Sequence, residues 1–229
     1  MENFIEIAEV NDEQKVAFYK KTYANVAYGI LAFILIEYLF LSTPAIVKLA
    51  LSLTGGKMWL LMLGGFMLVT TLAERMTTSS TDLSKQYLGY FLYILAEAFI
   101  FVPILYIAMS LTDGSNLIKQ AAILTLALFT GLSGVVFFTK TDFSFLKNII
   151  IIGGFLAMGL IVAGLLFGFD LGLWFSVGMV FLAAASILYQ TSKLTQNYQH
   201  NQYVAAALGL FASLMLLFWY ILRIFLSRD

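Results

Sequence analysis

Residues 87–111 read YLGYFLYILAEAFIFVPILYIAMSL, an apolar run that carries a single charge, Glu97. At ~1.5 Å per residue, a helix of this length crosses the ~30 Å hydrocarbon core of a bilayer. The apolar residues are continuous and do not alternate with polar ones, so the run predicts a helix and not a strand of a membrane barrel. We therefore expect a transmembrane helix with one acidic side chain near its middle.

Similar apolar segments recur along the chain, at 23–43, 58–73, 120–138, 148–168, 171–190 and 203–222. Of the 229 residues, 61% are hydrophobic and 11% are charged. Ordinary soluble domains carry ~25% charged residues. Only Glu37 and Glu97 place a charge inside the seven segments. The sequence thus predicts an all-α integral membrane protein, with a bundle of seven transmembrane helices at 23–226 after a cytoplasmic tail of acidic and basic residues at 1–22.

The basic residues predict an orientation in the membrane. If the amino terminus is cytoplasmic, eight of the 13 Lys and Arg residues fall on the cytoplasmic side. An excess of basic residues is typical of cytoplasmic loops, so we expect the carboxyl terminus on the opposite side. The acidic start does not resemble the basic leading region of a cleavable signal peptide. The short connections favour a bacterial cytoplasmic membrane.

Composition also argues against several functions. The net charge is zero, which gives no basis for binding nucleic acid, and no cysteine is present to ligate a metal. Residues 131–134 read Gly-Leu-Ser-Gly, which matches the nucleophile signature of rhomboid proteases, but the single histidine, His200, falls in a polar connection. A serine nucleophile needs a base within hydrogen-bond reach. We therefore expect no enzyme activity, no cofactor and no metal site.

Small residues recur every fourth position on the last segment, at Ala205, Gly209 and Ser213. Transmembrane helices approach one another closely where small residues line their contact. This stripe predicts that the last helix is central, and that its bulky residues, such as Trp219, seal the outer end of the bundle.

Glu97 is the strongest functional candidate. An ionised carboxylate at the bilayer centre costs at least ~2.5 kcal/mol, so it must be protonated, paired or in contact with water. Pro103, six residues later, removes a backbone donor from the same helix. These features favour a proton or cation path, and the alternative is a protonated acid bonded to a neighbouring helix. Glu37 lies nearer the end of its segment, within reach of the interface.

Two motifs in the second half of the chain carry a resemblance. Thr139-Lys140-x-Asp142-x-Ser144 follows the fourth segment, and Tyr189-Gln190-Thr191 ends the sixth. With seven segments, this pattern resembles the Bax inhibitor-1 family, also called the transmembrane Bax inhibitor motif family, in its bacterial form. The resemblance covers about residues 87–226, whereas the first two segments match only in hydropathy. It implies a seven-helix bundle with the last helix central.

The family resemblance implies a calcium leak that responds to pH through two aspartates on the sixth and seventh helices. Here the first position holds Gln190, and the second, ten residues before Arg223, holds Ser213. Neither side chain ionises, although the two could share a hydrogen bond. The resemblance therefore implies a leak with altered or absent pH gating.

The sequence alone leaves three functions open. The first is a leak or transport protein for cations such as calcium or protons, with Glu97, Tyr189, Gln190, Ser213 and Arg223 as candidates for the pathway or gate. The second is a non-conducting regulator that binds partner membrane proteins, such as a membrane protease. The third is a small-solute permease.

Overall fold

The structure is a computed structural model that describes residues 7, 11–79, 82–196, 198 and 201–227. The elements in this part of the chain are all helices: α1 (Asp12–Leu41), α2 (Pro44–Ser52), α3 (Lys57–Ser79), α4 (Leu83–Ser110), α5 (Gly114–Thr139), α6 (Leu146–Phe167), α7 (Gly172–Gln196) and α8 (Tyr203–Leu226). Seven of them, all except α2, are long and apolar enough to cross a membrane. The prediction of an all-α membrane bundle is confirmed.

Helix α8 is the centre of the bundle. Of its apolar stretch, 78% is buried inside the protein, against 56% for α4 and 11% for α6. It packs against α1, α3, α4, α5 and α7. Ala205, Ala206 and Ala207 are almost fully buried, so their small side chains let neighbouring helices approach closely. The prediction of a central last helix is therefore confirmed.

Helix α1 begins earlier than the first apolar segment, at Asp12 instead of residue 23. The side chain of Asn11 caps it by accepting a hydrogen bond from the Gln14 amide at 2.9 Å. Phe18 is 2% exposed and lies against Tyr198, with ring centroids 6.5 Å apart. Residues 12–22, which hydropathy assigned to the tail, therefore continue the first helix because one face of them is apolar and packed.

The connection between the first two spans contains the short helix α2, which the apolar segments did not indicate. Pro44 occupies a first-turn position, where its fixed φ and missing N–H suit a helix start. Val47 and Ala50 are buried against Val102 of α4. Helix α3 also runs past residue 73 to Ser79, which gives the short second segment a full membrane-spanning length.

Helix α4 packs tightly between α1 and α3. A Cβ atom at Gly89 would lie 2.7 Å from the carbonyl oxygen of Ala73 and 2.8 Å from Cβ of Met76. On the other side, the hydroxyl of Tyr90 donates to the carbonyl oxygen of Asn25 at 3.1 Å. These contacts fix α4, and with it Glu97, relative to the rest of the bundle.

Candidate functional site

A cavity of about 540 Å³ lies between α3, α4, α6, α7 and α8. Four of the five predicted pathway residues line it: Glu97, Gln190, Ser213 and Arg223. Tyr189 is not among the residues that line this cavity, because it lies on another face of α7. The structure thus brings together an acid from α4 and polar groups from the last two helices, which hydropathy alone could not place side by side.

Glu97 stands near the middle of α4 and is 6% exposed. Its Oε2 atom has no hydrogen-bond partner among the described residues. Tyr93 and Phe101 line the same cavity, as expected for residues one turn before and one turn after Glu97. A buried carboxylate oxygen without a protein partner is available to water or to an ion in the cavity.

Gln190 lies against the backbone of α8 at Gly209. A Cβ atom at Gly209 would be 2.7 Å from Oε1 of Gln190 and 3.2 Å from its Nε2. Only glycine at position 209 leaves room for the amide in this place. Oε1 of Gln190 has no hydrogen-bond partner within the described chain. It is a second uncommitted oxygen in the cavity.

Ser213 makes its side-chain contact with Ser186, at 2.7 Å between the two hydroxyl oxygens. Its hydroxyl also lies 2.9 Å from the carbonyl oxygen of Gly209, which accepts from it. The hydrogen bond suggested between Gln190 and Ser213 is therefore replaced by a Ser186–Ser213 pair. Ser186 was not a candidate from the sequence, although it stands one turn before Gln190 on the same face of α7.

Aromatic rings line the cavity at the end where α8 finishes. Trp219 stacks on Trp59 of α3, with centroids 6.4 Å apart, and meets Phe101 edge-on at 4.9 Å. Phe101 also stacks on Phe218 at 5.7 Å. Arg223 and Asp170 line the cavity at this end. The bulky residues of the last helix thus lie where the sequence suggested a seal.

The family motif lies outside the cavity and joins the α5–α6 turn to α7. Lys140 ends α5 in the left-handed conformation, with φ of 52°. The Asp142 Oδ1 atom accepts hydrogen bonds from the Ser144 amide at 2.8 Å and from the Ser192 hydroxyl at 3.3 Å. The Ser192 hydroxyl in turn accepts from the Phe143 amide at 3.0 Å.

These contacts set the chemistry of the motif. Hydrogen bonds from Ser144 hold the pKa of Asp142 below its usual value. The Thr139 hydroxyl donates to the carbonyl oxygen of Val135 at 2.8 Å. The motif residues therefore shape a turn and fasten it to a buried serine of α7, instead of lining a pathway.

The serine of the Gly-Leu-Ser-Gly segment also has a structural contact. Ser133 is 5% exposed, and its hydroxyl lies 3.3 Å from that of Thr191 on α7. His200, the candidate base for a protease, lies outside the described residues. Among the residues that the structure does describe, no three His, Asp or Glu side chains come together as a metal site would require.

The fold and the site together define the class: an integral membrane bundle of α-helices with a polar cavity beside a central last helix. The chain belongs to the Bax inhibitor-1 family, because the family described as "Inhibitor of apoptosis-promoting Bax1" matches residues 15–229. This match includes the first two spans, whose likeness to the family in the sequence alone was limited to hydropathy.

Relatives of the chain occur in bacteria. It is 37% identical over 124 residues to the uncharacterized protein PA2604 of Pseudomonas aeruginosa, covering 54% of this chain and 55% of that protein. It is 30% identical over 128 residues to the uncharacterized protein NMA0420 of Neisseria meningitidis serogroup A, covering 56% of each chain. The chain thus spans little more than half the length of these relatives.

Proposed function

We propose that the protein is a cation leak or transport protein, and that Glu97 provides the charge in its pathway. One observation carries the proposal: Glu97 is buried at the middle of α4, its Oε2 has no partner among the described residues, and it shares a cavity with Gln190 of α7 and Ser213 of α8. Acidic side chains inside membrane helices that face a cavity commonly mark ion or proton paths.

Polar groups are distributed along the whole cavity. Glu74 of α3 lines the cavity toward the end where α3 and α7 finish, and Asp170 and Arg223 line it at the opposite end. Glu97 and Ser213 stand near the middle of α4 and α8, and therefore lie between these two ends. A cation that enters such a cavity exchanges part of its water for oxygens of the protein.

The single central carboxylate favours weak and transient binding. Calcium takes ~6–8 oxygen ligands, so most of its ligands here would be water and neutral oxygens such as Oε1 of Gln190. Conduction requires binding that is favourable enough for entry and weak enough for release. Because Gln190 and Ser213 carry no titratable group, we expect no pH gate at the two positions where the family resemblance places aspartates.

A non-conducting regulator is the second candidate, and the exposure of α6 supports it. Only 11% of its apolar stretch is buried, and a Cβ atom at Gly154 or Gly159 would meet nothing within 4 Å. An open face with small residues suits another membrane helix as well as lipid. Cross-linking in membranes should then recover a stable partner.

A small-solute permease would use the same 540 Å³ cavity without needing the charge of Glu97.

We further propose a bacterial cytoplasmic membrane as the location, with the amino terminus inside and the carboxyl terminus outside. The bacterial relatives support this location, and the excess of basic residues on one side supports this orientation. The proposal includes no enzyme activity.

The test is cation flux in liposomes that contain the purified full chain and a trapped calcium indicator. The Glu97→Gln variant keeps the shape of the side chain but removes its charge. We expect flux to fall more than about tenfold, because a charge lost from a water-poor pathway changes the energy of the ion by more than ~1.4 kcal/mol.

Glu37→Gln is the matched control, since Glu37 is also a buried acid but does not line this cavity. Its flux should equal that of the wild type. Wild-type flux that survives Glu97→Gln unchanged would remove Glu97 from the pathway. Uptake of an uncharged solute with no cation flux in the wild type would favour the permease instead.

A further inference from the structure

A second cavity, of about 500 Å³, lies on the other side of α8, between α1, α4, α5 and α8. At one end, α1 and α5 meet through rings, with Tyr19 and Tyr23 of α1 against Phe137 of α5. Toward the end of α1 the cleft lies between the two helices, where Ile34 and Tyr38 of α1 and Leu126 of α5 line it and are exposed. The cleft therefore opens sideways, toward the lipid.

The walls of the cleft are apolar except for a small number of polar groups. Phe33, Leu214, Met215 and Phe218 form much of its inner surface. Glu37 and Lys119 are the charged residues among those that line it. Glu37 is 5% exposed, and neither of its carboxylate oxygens has a hydrogen-bond partner among the described residues.

The two charged groups differ: the Glu37 carboxylate is buried without a hydrogen-bond partner among the described residues, whereas Lys119 is exposed where it lines the cleft. A buried carboxylate without a hydrogen bond is costly, so an occupant that donates one would be stabilising. Glu37 lies one turn before the end of α1, and Lys119 lies in the second turn of α5. Both therefore stand near the level at which lipid headgroups meet the hydrocarbon core.

We propose that this cleft binds one phospholipid with a primary ammonium headgroup, such as phosphatidylethanolamine, drawn from the leaflet at the carboxyl end of α1. The carboxylate of Glu37 accepts hydrogen bonds from the ammonium group, and the ammonium group of Lys119 attracts the phosphate. One acyl chain lies along the apolar wall, and the sideways opening admits it from the bilayer. The site is separate from the cavity of Glu97 and does not depend on ion transport.

The choice of headgroup follows from the two charges. A zwitterionic lipid offers one positive and one negative group, as does the cleft. An ammonium with N–H donors can bond to Glu37, whereas the quaternary ammonium of phosphatidylcholine has none. An anionic lipid would place a second negative charge beside Glu37.

The test is native mass spectrometry of the full chain, released from detergent with phosphatidylethanolamine or phosphatidylcholine of identical acyl chains. We expect the ethanolamine lipid to be retained about tenfold more strongly, as one charge-assisted hydrogen bond provides. Glu37→Gln should remove this preference, whereas Glu97→Gln, which changes a buried acid in the other cavity, should keep it. Lys119→Gln should reduce the retention of both lipids by a similar factor, because both carry the phosphate that Lys119 attracts.

A second pair of variants tests the cleft without altering its charges. Leu126→Trp fills the opening and should reduce retention of both lipids, whereas Leu124→Trp, at a similarly exposed position of α5 outside the cleft, should not. Equal retention of the two lipids by the wild type would overturn the proposal, as would a preference that persists in Glu37→Gln. Tighter binding of dodecylammonium than of the ethanolamine lipid would also overturn it, because the site would then select a free amine.

Discussion

Glu97 and Glu37 meet the same physical difficulty in two places. Each is a carboxyl group that is more than nine-tenths buried in an apolar bundle, and each has at least one oxygen without a hydrogen bond from the described chain. Both line a cavity instead of packing against a dry neighbour. An occupant of the cavity, whether water, ion or headgroup, can therefore supply the contacts that the described part of the chain does not.

Asp142 shows the opposite situation, since its hydrogen bonds come from the protein itself. Bonds from Ser144 lower its pKa in the folded state, so the unfolded chain binds the proton more readily. The stabilisation is complete above the unfolded pKa of ~3.9 and is lost as the pH falls through the lower folded value. We expect thermal stability in detergent to fall below about pH 4 in the wild type, and to fall less in Asp142→Asn.

The measurement is the midpoint of thermal unfolding between pH 3 and pH 7, followed by tryptophan fluorescence. The difference between the two proteins should be constant near neutral pH and should shrink on acidification. A difference that stays the same at every pH would show that the charge of Asp142 contributes nothing to folding.

The helices themselves illustrate what hydropathy predicts and what it leaves out. The seven spans were predictable because an uninterrupted apolar run has few other uses in a chain of this composition. The start of α1 and the whole of α2 were not, because they depend on local contacts: Phe18 packs against Tyr198, and Val47 packs against Val102. Such contacts join residues far apart in the sequence, and periodicity does not reveal them.

The candidate site was predictable in part for a related reason. A charge in an apolar segment identifies Glu97, and motif spacing identifies Gln190 and Ser213. The Ser186–Ser213 bond and the separate cleft at Glu37 depend on how the helices rotate against each other, which the sequence alone did not fix. Tyr189, adjacent to Gln190 in the chain, faces elsewhere because neighbouring residues on a helix point about 100° apart.

The close contact between α3 and α4 predicts how one substitution changes stability. In Gly89→Ala, the new Cβ atom would meet the Ala73 carbonyl, which is backbone and cannot move aside. We expect a loss of about 1–3 kcal/mol in the free energy of unfolding, as for an overpacked core. The free energy of unfolding of the two proteins is measured by denaturing them in mixed micelles.

Gly154→Ala is the matched control, because the added methyl group would meet nothing within 4 Å. It should leave stability unchanged or raise it slightly, since alanine favours the helix more than glycine. Equal losses in the two variants would contradict the prediction, because the loss in Gly89→Ala would then not depend on the α3–α4 contact.

Across the whole molecule, the two ends of the larger cavity differ. Trp219, packed on Trp59 and Phe101, lines the end at which α8 finishes, whereas Glu74 lines the opposite end. If the cavity is the pathway, this cluster controls passage through it. We expect Trp219→Ala to raise cation flux several-fold in the liposome assay, because the substitution removes the ring that packs α8 against α3 and α4.

Trp174→Ala is the control, since Trp174 is 85% exposed on α7 and does not line the cavity. Its flux should match that of the wild type. Unchanged flux in Trp219→Ala would place the narrowest part of the pathway elsewhere.

The position of α8 has a consequence for biogenesis. The helix around which the others are arranged is also the one that the ribosome makes after them. Until it enters the bilayer, the earlier spans lack the surface against which α1, α4, α5 and α7 are packed in the finished protein. Assembly of the bundle therefore waits until α8 has been made, and nascent chains that stop before α8 should be recognised and degraded by membrane quality control instead of accumulating.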